Sequence, residues 1–90
     1  MNEVILNSRE FTNIDELHLL LKDKLQLPEY YGRNLDALWD CLTGGITMPI
    51  TIVWYDYENG RQKIGEYAEK LVKMFQEAEQ EIEGFRFIKD

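Results

Sequence analysis

The sequence predicts a small α/β domain, in which a three-stranded parallel sheet is packed by three to four helices. Three short runs rich in β-branched and aromatic residues have the composition of strands, and segments with helical periodicity lie between them. Because both connections are long enough to hold helices, neighbouring strands should run parallel and be joined by right-handed crossovers. A chain of 90 residues suffices for one domain, which we expect to span residues 1–90.

The first half of the chain is expected to contain one strand and two helices. Residues 4–6 are aliphatic and bounded by polar residues, which predicts a buried strand. The following helix has Thr12 or Asn13 as its N-cap and is ended by Pro28. Its apolar stripe consists of Ile14, Leu17, Leu21 and Leu25. A second helix is expected over residues 34–43, with Gly44 as the left-handed residue that follows its end.

The second half is expected to contain two strands and at least one long helix. Residues 49–54 are β-branched and aromatic with few polar interruptions, which predicts a strand covered on both faces, with Trp54 in the core. Residues 55–65 are compatible with a loop or a short helix, because Asn59 and Gly60 form a turn signal. Residues 66–82 have the longest helical periodicity, and residues 85–88 form the closing strand.

The composition restricts the class of partner. A formal net charge of −7, from 17 acidic against 10 basic residues, argues against binding to nucleic-acid phosphates or anionic lipid and fits a cationic partner. No segment has the features of a signal peptide or a membrane span. The single cysteine, Cys41, cannot form an internal disulfide, so we expect a cytoplasmic protein.

The second predicted helix has two different sides. Leu35, Leu38 and Leu42 lie on one side, whereas Asp36, Asp40 and Thr43 lie on another. The helix contains no basic residue that could pair with the two aspartates. Two acids at this spacing repel each other weakly. Spacing alone leaves three explanations open: a solvated polar face, which is the commonest; a surface for a cation-rich partner; and, least favoured, a metal site or hydrolytic carboxylate pair.

The sequence contains little that is typical of catalysis. No nucleophile, phosphate-loop or zinc motif is present, and His18 has no cysteine or second histidine nearby, so we predict neither an enzyme nor a cofactor or metal site. We interpret His18 as a hydrogen-bonded residue at the edge of its helix's apolar stripe and Cys41 as a small buried one. Of Tyr30, Tyr31 and Trp39, some should be core and others exposed anchors.

Residues 27–44, LPEYYGRNLDALWDCLTG, resemble the signature segment of the barstar family, bacterial intracellular inhibitors of barnase-type ribonucleases. The resemblance extends more loosely over the whole chain, including Pro49, Trp54 and residues 75–78. It implies the same three-stranded parallel fold, no catalytic activity, and a role in blocking a secreted, basic, guanyl-preferring ribonuclease before export. We expect a monomer in the absence of that partner.

The resemblance also implies roles for individual residues. Asp40 matches the carboxylate that enters the phosphate-binding site of the nuclease, and Asp36 matches the acid beside it. Tyr30 matches an aromatic anchor that packs on the catalytic histidine of the nuclease. The remaining matched interface positions are Asn34, Trp39, Thr43, Gly44 and Glu77.

Three residues beside the second helix depart from the family pattern. Gly45 stands where the family has a tryptophan, and both Arg33 and Thr47 stand where it has an acid. Gly45 and Thr47 favour an alternative in which a barstar-like module binds a different basic partner, such as another toxin or a regulator. A small hydrolase using the two aspartates is a third hypothesis. The bond between Met48 and Pro49 matches one that is cis in the family.

Overall fold

Three parallel strands form the sheet in the computed structural model, which describes residues 2–90. The strands are β1 (Asn2–Asn7), β2 (Ile50–Tyr55) and β3 (Phe85–Lys89), and they lie side by side in chain order. The helices are α1 (Ile14–Leu25), α2 (Leu35–Gly44), α3 (Tyr57–Ile64) and α4 (Glu66–Glu81), and a 3-10 turn follows β1 at Ser8–Glu10. The α/β class and the three-stranded parallel sheet predicted from the sequence are confirmed.

Only one face of the sheet is covered by helices. On the covered face Ile52 lies beside Val4 on one neighbouring strand and Phe87 on the other, and α1 and α4 pack against the outer strands. On the opposite face Ile5, Val53 and Ile88 form a row in which both isoleucines are exposed. On the same face of β2, Thr51 is buried, Val53 is half-buried and Tyr55 is exposed, so the prediction that β2 is covered on both faces holds only in part. When parallel strands lie side by side in chain order, two crossover connections of the same hand pass over the same face of the sheet. The opposite face is therefore left without helices.

Helix α1 begins as predicted but ends earlier. Asn13 is the N-cap, because its side-chain oxygen accepts a hydrogen bond of 2.8 Å from the backbone N–H of Glu16. Leu25 is the last helical residue, and Gln26 follows in the left-handed conformation with φ 54°. Pro28 thus lies beyond the end of the helix. The leucines of the predicted stripe are buried, but Ile14 in the first turn is exposed.

Residues 57–64 form the short helix α3, which decides between the two predicted alternatives. Gly60 is buried inside it, and a Cβ added there would lie 2.5 Å from Ser8 Oγ and 3.2 Å from the Trp54 ring. Trp54 is fully buried, as predicted, and its indole N–H donates a hydrogen bond of 2.7 Å to Ser8 Oγ. The glycine therefore allows a close approach of α3 to the core and does not mark a turn.

Helix α4 packs against α2, α3 and β3. Its buried face has helical spacing and comprises Ala68, Leu71, Val72, Met74, Phe75 and Ala78. Between residues 2 and 90, no helix combines the length and the apolar character needed to cross a bilayer. The peptide bond between Met48 and Pro49, just before β2, is cis, which answers a question that the sequence leaves open.

Candidate protein-binding surface

Helix α2 is fixed at both ends by local hydrogen bonds. The Asn34 side chain accepts from the backbone N–H of Ala37 at 2.7 Å, so Asn34 is the N-cap and lies just outside the helix. At the other end the Gly45 N–H donates to the Cys41 carbonyl at 3.0 Å. Gly44 is therefore the last helical residue, and Gly45 has φ −136°. The prediction of a left-handed Gly44 beyond the helix is wrong, because the last turn closes with an ordinary helical hydrogen bond.

The two sides of α2 are separated as the sequence predicts. Leu38 and Leu42 are fully buried, whereas Asp36, Asp40 and Thr43 are exposed. The Thr43 hydroxyl donates to the Trp39 carbonyl at 2.9 Å, a bond within the helix. Within residues 2–90 neither aspartate forms an ion pair. In the described part of the chain, both carboxylates are therefore exposed and without a basic partner.

The neighbouring residues Tyr30 and Tyr31 have opposite environments. Tyr30 is 89% exposed, whereas Tyr31 is 6% exposed and its hydroxyl lies 2.6 Å from His18 Nδ1. A turn closed by the Tyr31 N–H and the Pro28 carbonyl, at 3.0 Å, separates the two side chains. The loop before α2 is therefore anchored in the core by one tyrosine and projects the next one into solvent.

His18 connects this loop to α4. Its Nε2 atom lies 2.6 Å from the hydroxyl of Tyr67, so both ring nitrogens are hydrogen-bonded and the side chain is fully buried. Burial lowers the pKa of His18, an effect opposed by the nearby Asp15 carboxylate. Burial also raises the pKa values of Tyr31 and Tyr67. The prediction of a hydrogen-bonded histidine is confirmed, but the residue lies in the interior and not at an edge.

Three further residues singled out in the sequence lie in α2 or next to it, and a fourth lies on α4. Trp39 is half-buried, and Glu77 is exposed on α4, the helix that packs against α2. Arg33 is exposed with φ 56°, and it forms no ion pair with Asp36 or any other residue from 2 to 90. Cys41 is half-buried and not fully buried as predicted, and burial raises the pKa of its thiol.

The surface around α2 carries polar and aromatic groups. In the part of the chain that the structure describes, no group of three or more His, Cys, Asp or Glu side chains is placed to hold a metal ion. The surface offers carboxylate oxygens, an exposed phenol ring and a half-buried indole on a fixed helix and loop. The role of His18 and Tyr67 in holding this loop could not be found from the sequence, because 49 residues separate them.

Comparison with known proteins identifies close relatives. Residues 1–88 match the family model described as "Barstar (barnase inhibitor)". A protein of Bacillus subtilis (strain 168) named "Putative ribonuclease inhibitor YrdF" is 49% identical over 82 residues, which make up 91% of this chain and 90% of the relative. Both matches include the loop before α2 and the helix itself.

Proposed function

The chain belongs to the barstar family, a family of inhibitors and not of enzymes, and from this premise we propose that it blocks the active site of a cationic, guanyl-specific ribonuclease of the barnase type. The observation that carries the proposal is the pair of exposed, unpaired carboxylates on α2, Asp36 and Asp40, beside the exposed ring of Tyr30. Neither carboxylate forms an ion pair within residues 2–90, and a basic active site offers them partners.

In the proposed complex Asp40 takes the place of a substrate phosphate. A nuclease site built from arginine, lysine and histidine binds a carboxylate through charge-assisted hydrogen bonds. Asp36 lies one helical turn earlier and adds to the negative field. The capped helix holds both groups in place before binding, so little conformational entropy is lost when the complex forms.

The other proposed contacts surround this centre. Tyr30 packs its exposed ring on the catalytic histidine of the nuclease, and it is presented by a loop anchored through Tyr31. Asn34 already uses its oxygen in the N-cap, and its amide nitrogen lies 3.3 Å from the Gly32 carbonyl. The remaining proposed interface residues are Trp39, Thr43, Gly44 and Glu77.

The proposal includes a cellular setting. An inhibitor of a secreted nuclease protects the producing bacterium only if it acts before export, so we place the protein in the cytoplasm as an immunity protein. The free thiol of Cys41 agrees with a reducing compartment. The protein is proposed to be a monomer until it meets the nuclease.

A titration of guanyl-specific microbial ribonucleases with the wild-type protein tests the proposal. We expect stoichiometric inhibition of at least one basic ribonuclease, and loss of that inhibition in Asp40→Ala. Asp23→Ala is the matched control, because Asp23 is an exposed helical aspartate on α1. Equal inhibition by wild type and Asp40→Ala, or inhibition of no ribonuclease, would contradict the proposed function.

The three departures from the family pattern support a second candidate, a module that binds a different basic protein. Arg33, Gly45 and Thr47 are all exposed around α2. Affinity capture with wild-type protein and with Asp40→Ala separates the candidates. Asp40-dependent recovery of a basic protein without ribonuclease activity would favour the second one.

A further inference from the structure

The face of the sheet opposite the helices, which we call the open face, is apolar along its middle row. Ile5, Val53 and Ile88 are paired in register across the three strands, and the two isoleucines are 40% and 45% exposed. Tyr55, the next residue of β2 on this face, is 42% exposed. Scattered apolar residues are normal at a surface, whereas contiguous ones with polar groups around them mark interaction sites. The open face is therefore a candidate docking surface.

A row of charged residues runs beside this apolar row. Glu3 on one outer strand and Arg86 on the other are each paired in register with Thr51 of the central strand. Both charged side chains are exposed, and within residues 2–90 neither forms an ion pair. Neighbouring strands lie about 4.8 Å apart, so the backbone positions of the two residues are separated by about 10 Å. The open face therefore has an acidic edge and a basic edge at the same height along the strands.

We propose that the open face binds a second copy of the chain through a two-fold axis parallel to β2. Such an axis reverses the order of the strands and keeps the height along them, so β1 of each copy lies over β3 of the other. Glu3 of each copy then lies opposite Arg86 of the other, and every contact forms twice. Ile5 lies opposite Ile88, and Val53 lies near its own counterpart at the axis. A two-fold axis perpendicular to the strands would instead place β1 over β1 and leave Glu3 without a cation.

The geometry of packed sheets is compatible with this arrangement. Two sheets that pack face to face lie about 10 Å apart, with their strand directions within about 30° of each other. An axis parallel to β2 meets that condition, because it keeps the strand direction of both copies the same. The side chains of Glu3 and Arg86 are long enough to meet across such a gap.

The size of the open face predicts a weak dimer. Three side chains from each of three strands, about 4.8 Å apart between strands and about 6.7 Å apart along them, cover roughly 300 Å² in projection. A standard interface buries about 800 Å² per partner, and the net charge of −7 on each copy adds repulsion. We therefore expect a dissociation constant between about 10 μM and 1 mM. The monomer proposed above is the form at lower concentrations, and α2 stays free in the dimer because it packs against α4 on the covered side of the sheet.

Charge reversals test how the two copies are arranged. Sedimentation equilibrium of the full chain, up to about 1 mM protein in about 0.15 M salt, measures the dissociation constant. Glu3→Arg and Arg86→Glu each place two pairs of like charges opposite one another and should raise that constant at least about tenfold. The double variant restores both pairs with exchanged positions and should dimerise within about threefold of wild type. Glu3→Arg changes the net charge from −7 to −5, so it would strengthen association if repulsion between whole molecules decided the outcome.

A lysine in the apolar row tests the remaining part of the interface. Ile5→Lys places a charge between the two sheets and should also raise the dissociation constant at least about tenfold. Ile14→Lys is the matched control, because Ile14 is 37% exposed but lies on α1, which packs on the covered face. It should dimerise as wild type does. Circular dichroism and thermal denaturation establish that all variants remain folded.

The outcomes decide this inference independently of the proposed function. Dimers that weaken in Ile5→Lys and in both single charge reversals, and recover in the double variant, support it. A monomer at every concentration overturns it, and so does association that Ile5→Lys leaves unchanged. A double variant that does not recover overturns the two-fold arrangement and the inference with it. Inhibition of a ribonuclease through α2 is measured separately and stands or falls on its own test.

Discussion

His18 Nδ1 and the hydroxyl of Tyr31 lie 2.6 Å apart in the interior, and this contact attaches the loop that presents Tyr30 to the first helix. The other ring nitrogen of His18 reaches Tyr67 on α4, also at 2.6 Å. A single imidazole thus joins α1, the loop before α2 and α4. The position of the proposed binding surface depends on a polar network of three side chains within the core.

The first prediction concerns pH. Burial lowers the pKa of His18 below its ordinary value of 6.5, so below about pH 6.5 the unfolded chain binds more protons than the folded one. The free energy of unfolding should therefore fall as pH drops from about 6.5 toward the folded pKa, by at most about 1.4 kcal/mol per pH unit for this group. Urea denaturation at several pH values measures the slope. In His18→Gln this contribution should be absent, and equal slopes for both proteins would contradict the assignment.

The second prediction uses the adjacent tyrosines as a matched pair. Tyr31→Phe removes a hydroxyl from a buried network and leaves His18 Nδ1 without its partner, which should cost about 1–3 kcal/mol of unfolding free energy. Tyr30→Phe removes a hydroxyl from a side chain that is 89% exposed and should leave stability unchanged. Chemical denaturation of both variants at pH 7.5 measures the difference. Equal stability of the two variants would show that the buried hydrogen bond contributes nothing.

The third prediction contrasts two glycines. In Gly60→Ala the new Cβ would lie 2.5 Å from Ser8 Oγ, so either α3 or the Ser8 side chain must shift, and overpacking should cost about 1–3 kcal/mol. In Gly44→Ala the new Cβ meets no atom within 4 Å, and alanine favours the helix, so stability should rise by up to about 1 kcal/mol. Thermal denaturation of both variants shows whether each substitution raises or lowers the stability of the protein. A stable Gly60→Ala would show that Gly60 is not required for close packing.

The sequence predicted local elements well and their tertiary environment less well. The strands and α1, α2 and α4 follow from periodicity and from caps such as Asn13. The open face of the sheet was missed, because the composition of β2 resembles that of a strand covered on both faces. The sequence does not distinguish α3 from a loop, because Gly60 has the signature of a turn. The close approach of Gly60 to Ser8 explains why a glycine stands inside this helix. The separation of α2 into an apolar side and an acidic side was predictable, because helical spacing alone places Asp40 opposite Leu42.

A groove between the loop before α2 and the end of that helix lay outside what the sequence could predict. The sequence shows that Gly45 departs from the family pattern. It does not show whether the missing side chain leaves a flat surface or lines a groove. In the structure Gly45 lines the same groove as the loop residues Leu27 and Pro28, which are 18 and 17 positions earlier in the chain. This arrangement depends on how the loop folds back on α2.

The last prediction tests whether the α2 carboxylates serve binding at the expense of folding. Asp40→Asn removes the repulsion from Asp36 one turn away and a negative charge from the second half of the helix, so the unfolding free energy should rise by about 0.2–0.5 kcal/mol at low ionic strength. The increase in unfolding free energy should be smaller for Asp36→Asn, because a carboxylate in the first turn interacts favourably with the helix N-terminus. Urea denaturation with and without added salt measures both changes, and salt should reduce them. The same Asp40→Asn change should abolish inhibition of the nuclease. A variant that is more stable yet inactive would show that Asp40 serves binding of the partner. A destabilised variant would instead show that Asp40 stabilises the fold.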